Sequence, residues 1–252
     1  MRVRAFVFFL AMLSTGIASA QTVIDTKEFL AKSALVVRAT ASSVDPYAYD
    51  SASKLAYTYV MFKIDEILLG NYSEESLEFW LPGGILPNGH LSDFSTVPQV
   101  VQNDTYLLFI KNGKYDMSPF VGDTLGVFRE ESISGETVYV DPDGHLLEKV
   151  DNIGLHVGQR VAESNMVRMT RTLGWDMESV NIENLPEDSA KRATISKSAV
   201  LIKLKSHISE MKSAGKLISN ATISKIPDVS SLMKFSPDPK NETAADSSAT
   251  AE

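Results

Sequence analysis

The 252-residue chain contains no cysteine. Without cysteine a protein cannot form disulfides, hold zinc through thiolates, carry a cysteine-ligated iron–sulfur cluster or use a thiol as nucleophile. A domain of this length can still bury enough apolar surface to fold on its core alone. The composition therefore predicts a globular protein that is stabilised by packing and not by covalent cross-links.

The sequence motifs of common catalytic and cofactor sites are also missing. The chain has no H-E-x-x-H, no G-x-S-x-G, no Walker loop and no G-x-G-x-x-G. Its histidines lack the i, i+4 spacing of a helical metal-binding pair. The four are His90, His145, His156 and His207. We therefore predict that the protein is not an enzyme and binds neither a cofactor nor a metal ion.

The chain has one sizeable apolar run, which lies at its N-terminus. Ala5–Leu13 is uninterruptedly apolar, follows two arginines and precedes a small-residue cleavage pattern at positions 18–20. A membrane-spanning helix needs about 20 apolar residues, so this run is too short to be one. The pattern predicts a signal peptide over residues 1–20 and export to the periplasm or the extracellular space.

Acidic residues outnumber basic ones, 32 to 24. Removing residues 1–20 removes two arginines and no acid, so the net charge falls from −8 to −10. Proteins that bind nucleic acid need a basic surface to neutralise phosphates. We therefore predict that nucleic acid is not a partner.

Short stretches rich in β-branched and aromatic residues recur through the first 150 residues, and they predict a mainly β fold. We expect a small OB-like barrel or sandwich over residues 21–152. Near its start we expect a short helix at Thr26–Ser33, with Thr26 as its N-cap. Asn112-Gly113 predicts a two-residue hairpin turn, and Asp45–Lys54 predicts a polar loop. The predicted strands are Ala34–Val44, Tyr57–Leu68, Leu77–Leu81, Thr105–Lys111, Lys114–Met117, Thr124–Arg129, Glu136–Val140 and Leu146–Val150.

The character of the sequence changes after residue 152. Residues 153–188 predict a connecting segment that is irregular or weakly helical, and residues 189–219 predict a C-terminal amphipathic helix. Residues 220–252 predict a tail, disordered from about residue 236 because large apolar side chains are absent there. The helix has an apolar stripe that favours packing on the barrel: Val200, Leu201, Leu204, Ile208, Met211 and Ile218.

A long loop, Ile85–Asp104, follows the predicted strand Leu77–Leu81. Loops longer than about 12 residues without secondary structure are usually functional or disordered, and the apolar residues of this loop predict that it packs down. Two interpretations remain open, a plain connection and a recognition loop. The candidate binding residues are Pro82, Gly83, Gly84, Asn88, Gly89, His90 and Phe94.

The segment Asp141-Pro142-Asp143-Gly144 resembles part of a calcium-binding loop. If Gly144 takes the sixth position of such a loop, Tyr139 and Val150 take the first and the twelfth. Neither side chain can bind calcium, whereas an EF-hand needs acidic residues there. The segment therefore predicts a turn and not a metal site.

Four segments together resemble a family of exported bacterial β-domains of the OB-barrel class of netrins and tissue inhibitors of metalloproteinases. They lie within Ala34–Arg129 and have the sequences ALVVRATASSV, YTYVMFKIDEILLGN, LEFWLPGG and VPQVVQNDTYLLFIKNGKYDMSPFVGDTLGVFRE. The resemblance implies a compact barrel that accompanies exported peptidases. The inhibitors chelate the protease zinc through an N-terminal cysteine, but this chain has Gln21 at the expected mature end. That mechanism cannot carry over.

Three hypotheses for the function follow. The first is a non-enzymatic binding or accessory module whose partner is another exported protein, such as a peptidase. The second is an envelope-associated protein whose basic helix contacts anionic lipid or polymer. This alternative is less favoured because the apolar stripe lacks the Trp and Phe of membrane-surface helices. The third is an enzyme with dispersed catalytic residues.

The signal peptide leads to a first testable prediction. Protein isolated from its native host should begin at Gln21, in its free or pyroglutamate form, because signal peptidase cleaves after the small residues at 18–20. Intact-mass measurement and N-terminal sequencing check this. Stable protein that retains Met1 would contradict it.

Overall fold

The structure, a computed structural model, describes residues 22–115, 117–173, 195–218, 222–224 and 232–234. Its strands are β1 (Thr22–Ile24), β2 (Ser33–Asp50), β3 (Leu55–Leu69), β4 (Ser76–Pro82), β5 (Gly84–Ile85), β6 (Leu91–Ser92), β7 (Thr105–Lys111), β8 (Val127–Ile133), β9 (Glu136–Val140), β10 (His145–Val150), β11 (Leu155–Arg160) and β12 (Leu232–Lys234). Its α-helices are α1 (Thr26–Lys32), α2 (Asn165–Thr172) and α3 (Lys197–Ser213), and a 3-10 turn spans Asp123–Gly126.

Ten strands form one large antiparallel sheet in the order β1-β11-β10-β9-β8-β7-β2-β3-β4, with β12 paired to β2. Strands β5 and β6 form a separate hairpin. The prediction of a mainly β fold is therefore confirmed. Of the two expected forms, an OB-like barrel or a sandwich, the closed barrel is wrong, because no pairing among the described residues joins the edge strands β1 and β4.

The burial of β2 explains why the sheet is open. Leu35, Val36 and Val37 follow one another in this central strand, and all three are fully buried. Successive side chains of a strand point to opposite faces, so both faces of β2 must be covered. A small closed barrel has only one interior for the side chains of its strands. The sheet instead carries a separate core on each face.

The two cores are covered by different parts of the chain. We call them the helix-side core and the loop-side core. The helix-side core lies beneath α1 and α3 and includes Phe29, Leu30, Val36, Phe109, Phe128, Tyr139, Val200 and Leu204. The loop-side core lies beneath the chain that follows β6 and includes Leu35, Val37, Phe62, Phe79, Val97, Val100, Tyr106, Leu108 and Phe120.

Strand β2 extends further than the sequence predicted. Residues 45–50, expected in a polar loop, continue the strand, and Tyr49 and Asp50 pair with Ala56 and Leu55 of β3. The Asp50 carboxylate then accepts hydrogen bonds from Ser53 Oγ (2.6 Å) and from the Ser53 N–H (3.2 Å). Pairing with the long neighbouring strand therefore outweighs the polar composition of this segment.

The predicted hairpin at Asn112-Gly113 is wrong. The backbone instead closes a wider loop, in which the Lys111 N–H donates to the Pro119 carbonyl (2.8 Å). Asn112 Oδ1 accepts from the Thr222 N–H (2.8 Å), so this pair binds a segment that is distant in sequence. Ser134 and the following glycine form the two-residue turn with positive φ at both positions, between β8 and β9.

Gly154–Thr172, expected to be irregular or weakly helical, forms strand β11 and helix α2. Strand β11 pairs with β10 and with β1, so the sheet continues past the predicted boundary at residue 152. The sequence Leu155–Arg160 contains Gly158, against which the Glu148 side chain packs closely. Gly158 and His156 weaken the pattern of β-branched and aromatic residues by which a strand is predicted from sequence.

The C-terminal helix packs on the sheet, as predicted. Helix α3 begins after Ser196, whose hydroxyl accepts from the Ala199 N–H, and it ends at Ser213, before the predicted end at 219. Residues 189–194, where the helix was predicted to start, lie outside the described residues, as does most of the predicted tail. The stripe residues Val200, Leu204, Ile208 and Met211 are buried in the helix-side core.

Ion pairs join α3 to the acidic side chains of the sheet. Lys205 Nζ lies 2.6 Å from Glu66 Oε1, and Lys197 Nζ lies 3.3 Å from Glu130 Oε2. The shorter helix α1 is capped by Asp25 and not by the predicted Thr26, because Asp25 Oδ1 accepts from two backbone N–H groups of the first turn.

The packing of α3 leads to a second prediction. Replacing Leu204 with alanine should lower the free energy of unfolding by about 2–5 kcal/mol, as is usual for fully buried leucines. Ile202 lies on the same helix but is 67% exposed, so Ile202→Ala should change stability by at most about 0.5 kcal/mol. Urea unfolding of both variants checks this. Equal midpoints for the two would mean that α3 does not pack as described.

Candidate functional site

Pro82, Gly83 and Gly84 are buried and form the base of the candidate loop. Both glycines have positive φ, 104° and 144°, and a Cβ on Gly84 would lie 2.6 Å from the Pro46 carbonyl oxygen. The Thr58 hydroxyl donates to the Gly83 carbonyl (2.9 Å). These residues turn the chain away from β4. Because they are buried, a partner could contact only the residues that follow them.

The next residues form the β5–β6 hairpin, whose tip is exposed. The Leu86 N–H donates to the His90 carbonyl (2.9 Å), and the Gly89 N–H donates to the Leu86 carbonyl (2.9 Å). Asn88 Oδ1 accepts from the His90 N–H (3.1 Å). Three of the predicted binding residues, Asn88, Gly89 and His90, therefore stand at the surface in one hydrogen-bonded turn.

The returning half of the loop packs down, as predicted. Phe94 is half-buried against the loop-side core, in which Val97 and Val100 are buried. The Val97 N–H donates to the Phe94 carbonyl (2.9 Å), and Gln99 Nε2 donates to Asp93 Oδ1 (2.6 Å). The structure thus brings Phe94 to the foot of the hairpin and places the other predicted residues at its base and at its tip.

Helix α2 holds the end of the loop through side-chain contacts. Asn165 Nδ2 donates to the Gln99 carbonyl (2.7 Å). Arg168 Nη2 donates to Asp104 Oδ1 (2.8 Å), and its Nη1 donates to Glu131 Oε2 (2.9 Å). One helix therefore binds both the loop and strand β8, which fixes the loop end on the sheet.

Arg129 lies beneath this anchor and is fully buried. Its Nη2 donates to the Glu163 carbonyl (3.0 Å) and lies 3.0 Å from Glu131 Oε2. Its Nη1 lies 4.0 Å from Asp104 Oδ2. Burial raises the pKa of Asp104, and the guanidinium groups of Arg168 and Arg129 act in the opposite direction. Removing one member of a buried charge network leaves another uncompensated, which usually destabilises a fold strongly.

The sequence analysis did not identify Asn165, Arg168 or Arg129. Asn165 and Arg168 bind loop residues that lie 66 and 64 positions away along the chain, and no local pattern reports such pairs. The one local signal was Ser164, a residue type favoured at helix N-caps. Its Oγ accepts from the Val167 N–H (3.3 Å). Ser164 therefore marks where α2 begins, but it does not show which loop residues α2 contacts.

The segment Asp141–Gly144 forms the predicted turn, between β9 and β10. Asp141 Oδ1 accepts from the N–H groups of Asp143 (3.0 Å) and His145 (2.8 Å). The hydrogen bond between the Asp141 carboxylate and the imidazole raises the pKa of His145. Asp141, Asp143 and His145 each offer one possible metal ligand, and these atoms lie within 4.8 Å of one another. The turn hydrogen bonds hold the Asp141 carboxylate beside the backbone N–H and the imidazole of His145.

The four histidines lie in different parts of the fold. His90 is exposed at the hairpin tip, and His145 begins β10. His156 Nε2 on β11 lies 3.0 Å from Asp151 Oδ1. His207 is buried on α3, beside a groove of about 520 Å³. This placement agrees with the scattered spacing of the histidines in the sequence.

Comparisons with protein-family models, with curated proteins and with solved structures find no match. The resemblance over Ala34–Arg129 therefore stays a prediction. Export stays one too, because the expected signal peptide lies outside the described residues. None of the helices that the structure describes is long and apolar enough to cross a membrane.

The close approach at Gly84 leads to a third prediction. Gly84→Ala should destabilise the fold by about 2 kcal/mol or more, because it adds a clash with the Pro46 carbonyl to the strain of positive φ. Gly89 also has positive φ, but no atom lies within 4 Å of the position that a Cβ on this residue would take. Gly89→Ala should therefore lower stability by only about 1 kcal/mol. Chemical unfolding measures both changes, and equal losses would exclude the close approach at the loop base.

Proposed function

We propose that the protein is an exported, non-enzymatic binding module that recognises another exported protein through the β5–β6 hairpin. The observation that carries this proposal is the contrast within one loop. Its base and its end are held by buried contacts, whereas Asn88, Gly89 and His90 are exposed at its tip. A plain connection between β4 and β7 would not need a separate hairpin with an exposed tip.

The rigidity of the loop supports a role in recognition. Binding requires interface loops to become ordered, and preorganised loops avoid most of that entropy loss. Here the tip is closed by the hydrogen bonds of Leu86 and His90, and the foot is packed by Phe94. The hairpin can therefore meet a partner without first having to fold.

The engagement of the neighbouring charged groups supports a non-enzymatic role. Among the described residues near the loop, Asp104 and Glu131 bind Arg168, and Glu163 binds Arg171 (2.7 Å). Carboxylates held in ion pairs in this way are poorly placed to transfer protons to a substrate. They are well placed to hold α2 and the loop in position.

A fourth prediction tests this function by crosslinking. A photo-crosslinking residue at Asn88, in protein expressed in its native host, should capture one defined exported protein, because the tip is the proposed contact. The same residue at Glu136, which is exposed at the start of β9, serves as the matched control and should not capture it. Mass spectrometry of the crosslinked species identifies the partner.

The purified partner then permits a quantitative measurement. The double variant Asn88→Ala/His90→Ala should raise the dissociation constant about tenfold or more, as expected when contact residues are truncated, while Glu136→Ala leaves it unchanged. Equal capture at both positions, or an unchanged affinity of the double variant, would overturn the proposal. Salt-reversible binding to anionic vesicles without a protein partner would favour the envelope alternative.

A further inference from the structure

The Asn112-Gly113 pair, in the wide loop that follows β7, binds a segment that is distant in the sequence. The Gly113 N–H donates to the Thr222 carbonyl (2.6 Å), and Asn112 Oδ1 accepts from the Thr222 N–H (2.8 Å). Ile223 forms a parallel bridge with Gly113 and packs against the loop-side core. We call residues 222–224 the docked segment. Both hydrogen bonds use backbone groups of Thr222, so they do not depend on its side chain.

An asparagine that is followed by glycine is chemically labile. The glycine nitrogen can attack the side-chain carbonyl carbon of the asparagine, because glycine has no side chain to hinder the approach. A bond forms between the Gly113 nitrogen and Asn112 Cγ, the Gly113 proton passes through solvent to the amide nitrogen, and ammonia leaves. Water then opens the resulting succinimide ring at either carbonyl. The product is aspartate or, more often, isoaspartate, in which the main chain runs through the former side chain.

The two groups that react are the same two groups that bind the docked segment. Attack requires the Gly113 nitrogen to lose its proton, and this proton is bound by the Thr222 carbonyl. Attack also requires the side-chain amide of Asn112 to turn toward that nitrogen, whereas its Oδ1 is bound by the Thr222 N–H. Docking therefore competes with the reaction. Water that opens the ring can reach the site, because Asn112 is exposed.

The chain contains a second Asn-Gly pair, Asn88-Gly89, which provides an internal comparison. Its groups are also hydrogen-bonded, but within their own turn. The Gly89 N–H donates to the Leu86 carbonyl (2.9 Å), and Asn88 Oδ1 accepts from the His90 N–H (3.1 Å). These partners separate only when the hairpin itself opens locally. The pair at Asn112 differs, because departure of one distant segment breaks both of its hydrogen bonds to Thr222.

We propose that Asn112 is a site of spontaneous deamidation that the docked segment protects, and that conversion to isoaspartate releases this segment permanently. In isoaspartate the former Oδ1 becomes the oxygen of the peptide bond to Gly113. The C=O and N–H of a trans peptide point in opposite directions, so they cannot both meet Thr222. The aspartate product keeps Oδ1 as an acceptor and allows docking. Release also withdraws Ile223 from the loop-side core.

The protective role is tested on the purified protein in mildly alkaline buffer, with peptide mapping by mass spectrometry to follow Asn112 and Asn88 separately. Thr222→Pro removes the N–H that binds Asn112 Oδ1. One hydrogen bond changes an equilibrium by about two- to tenfold, so deamidation at Asn112 should become about fivefold faster than in the wild type. The rate at Asn88 should not change. Thr222→Ala keeps both backbone groups, and its two rates should equal those of the wild type.

The release of the docked segment is measured by hydrogen exchange. Ion-exchange chromatography separates protein with isoaspartate at position 112 from unreacted protein, because the product carries an additional negative charge. In the isoaspartate form the Thr222 N–H has lost its acceptor, and it should exchange about fivefold faster or more than in unreacted protein. The variant Asn112→Asp represents the other product, and it should exchange at the rate of unreacted protein.

Three results would overturn the inference. Equal deamidation at Asn112 in the wild type and in Thr222→Pro, including none in either, would show that the docked segment does not protect the pair. Acceleration at Asn88 as well as at Asn112 would attribute the effect of the proline to a general loosening of the fold. Unchanged exchange of the Thr222 N–H in the isoaspartate form would show that the modification does not release the segment.

Discussion

The burial of β2 on both of its faces is the constraint on which the rest of the fold depends. Three consecutive apolar residues, Leu35, Val36 and Val37, cannot all be shielded by a single interior. Helices α1 and α3 cover one face. The loop from β6 to β7 and the chain that follows β7 cover the other. The loop therefore has a structural task, because it closes a core, and its conformation is as constrained as that of the strands beneath it.

A loop that lies on a core must satisfy its backbone groups away from water. The Asn103 N–H donates to the Ala41 carbonyl (2.8 Å), and the Ala41 N–H donates to the Asp104 carbonyl (2.9 Å). Arg168 then fixes the Asp104 side chain from α2. Because these contacts hold the loop end, the hairpin that emerges from the same loop has a defined position. The structural role therefore belongs to the returning part of the segment, and the proposed recognition surface to its exposed tip.

Most strands could be predicted from their composition, and so could the turn at Asp141–Gly144 and the buried stripe of α3, because each depends on a local pattern. The failures involve partners that are remote in sequence. Asn112-Gly113 has strong turn chemistry, yet it binds Thr222. Whether the sheet closes into a barrel depends on which faces of its strands are covered by other elements. A run of apolar residues in the sequence does not show which faces are covered. In the candidate site, the packing of Phe94 followed from residue type. The anchors Asn165 and Arg168 did not, because their contacts exist only once β11 has brought α2 to the loop.

The edge strand β4 is poorly suited to pairing with another chain. An exposed edge usually offers its backbone for pairing with another chain. Here the Tyr72 hydroxyl donates to the Ser76 carbonyl (3.2 Å), and the Tyr115 hydroxyl donates to the Trp80 carbonyl (3.3 Å). Pro82 ends the strand without an N–H group. Along the seven residues of β4, two backbone carbonyls are therefore already hydrogen-bonded and one position has no N–H donor. None of these three positions can pair with an added strand. The chain then leaves the protected edge at once through Gly83, so the first accessible hydrogen-bonding groups beyond β4 are those at the tip of the β5–β6 hairpin.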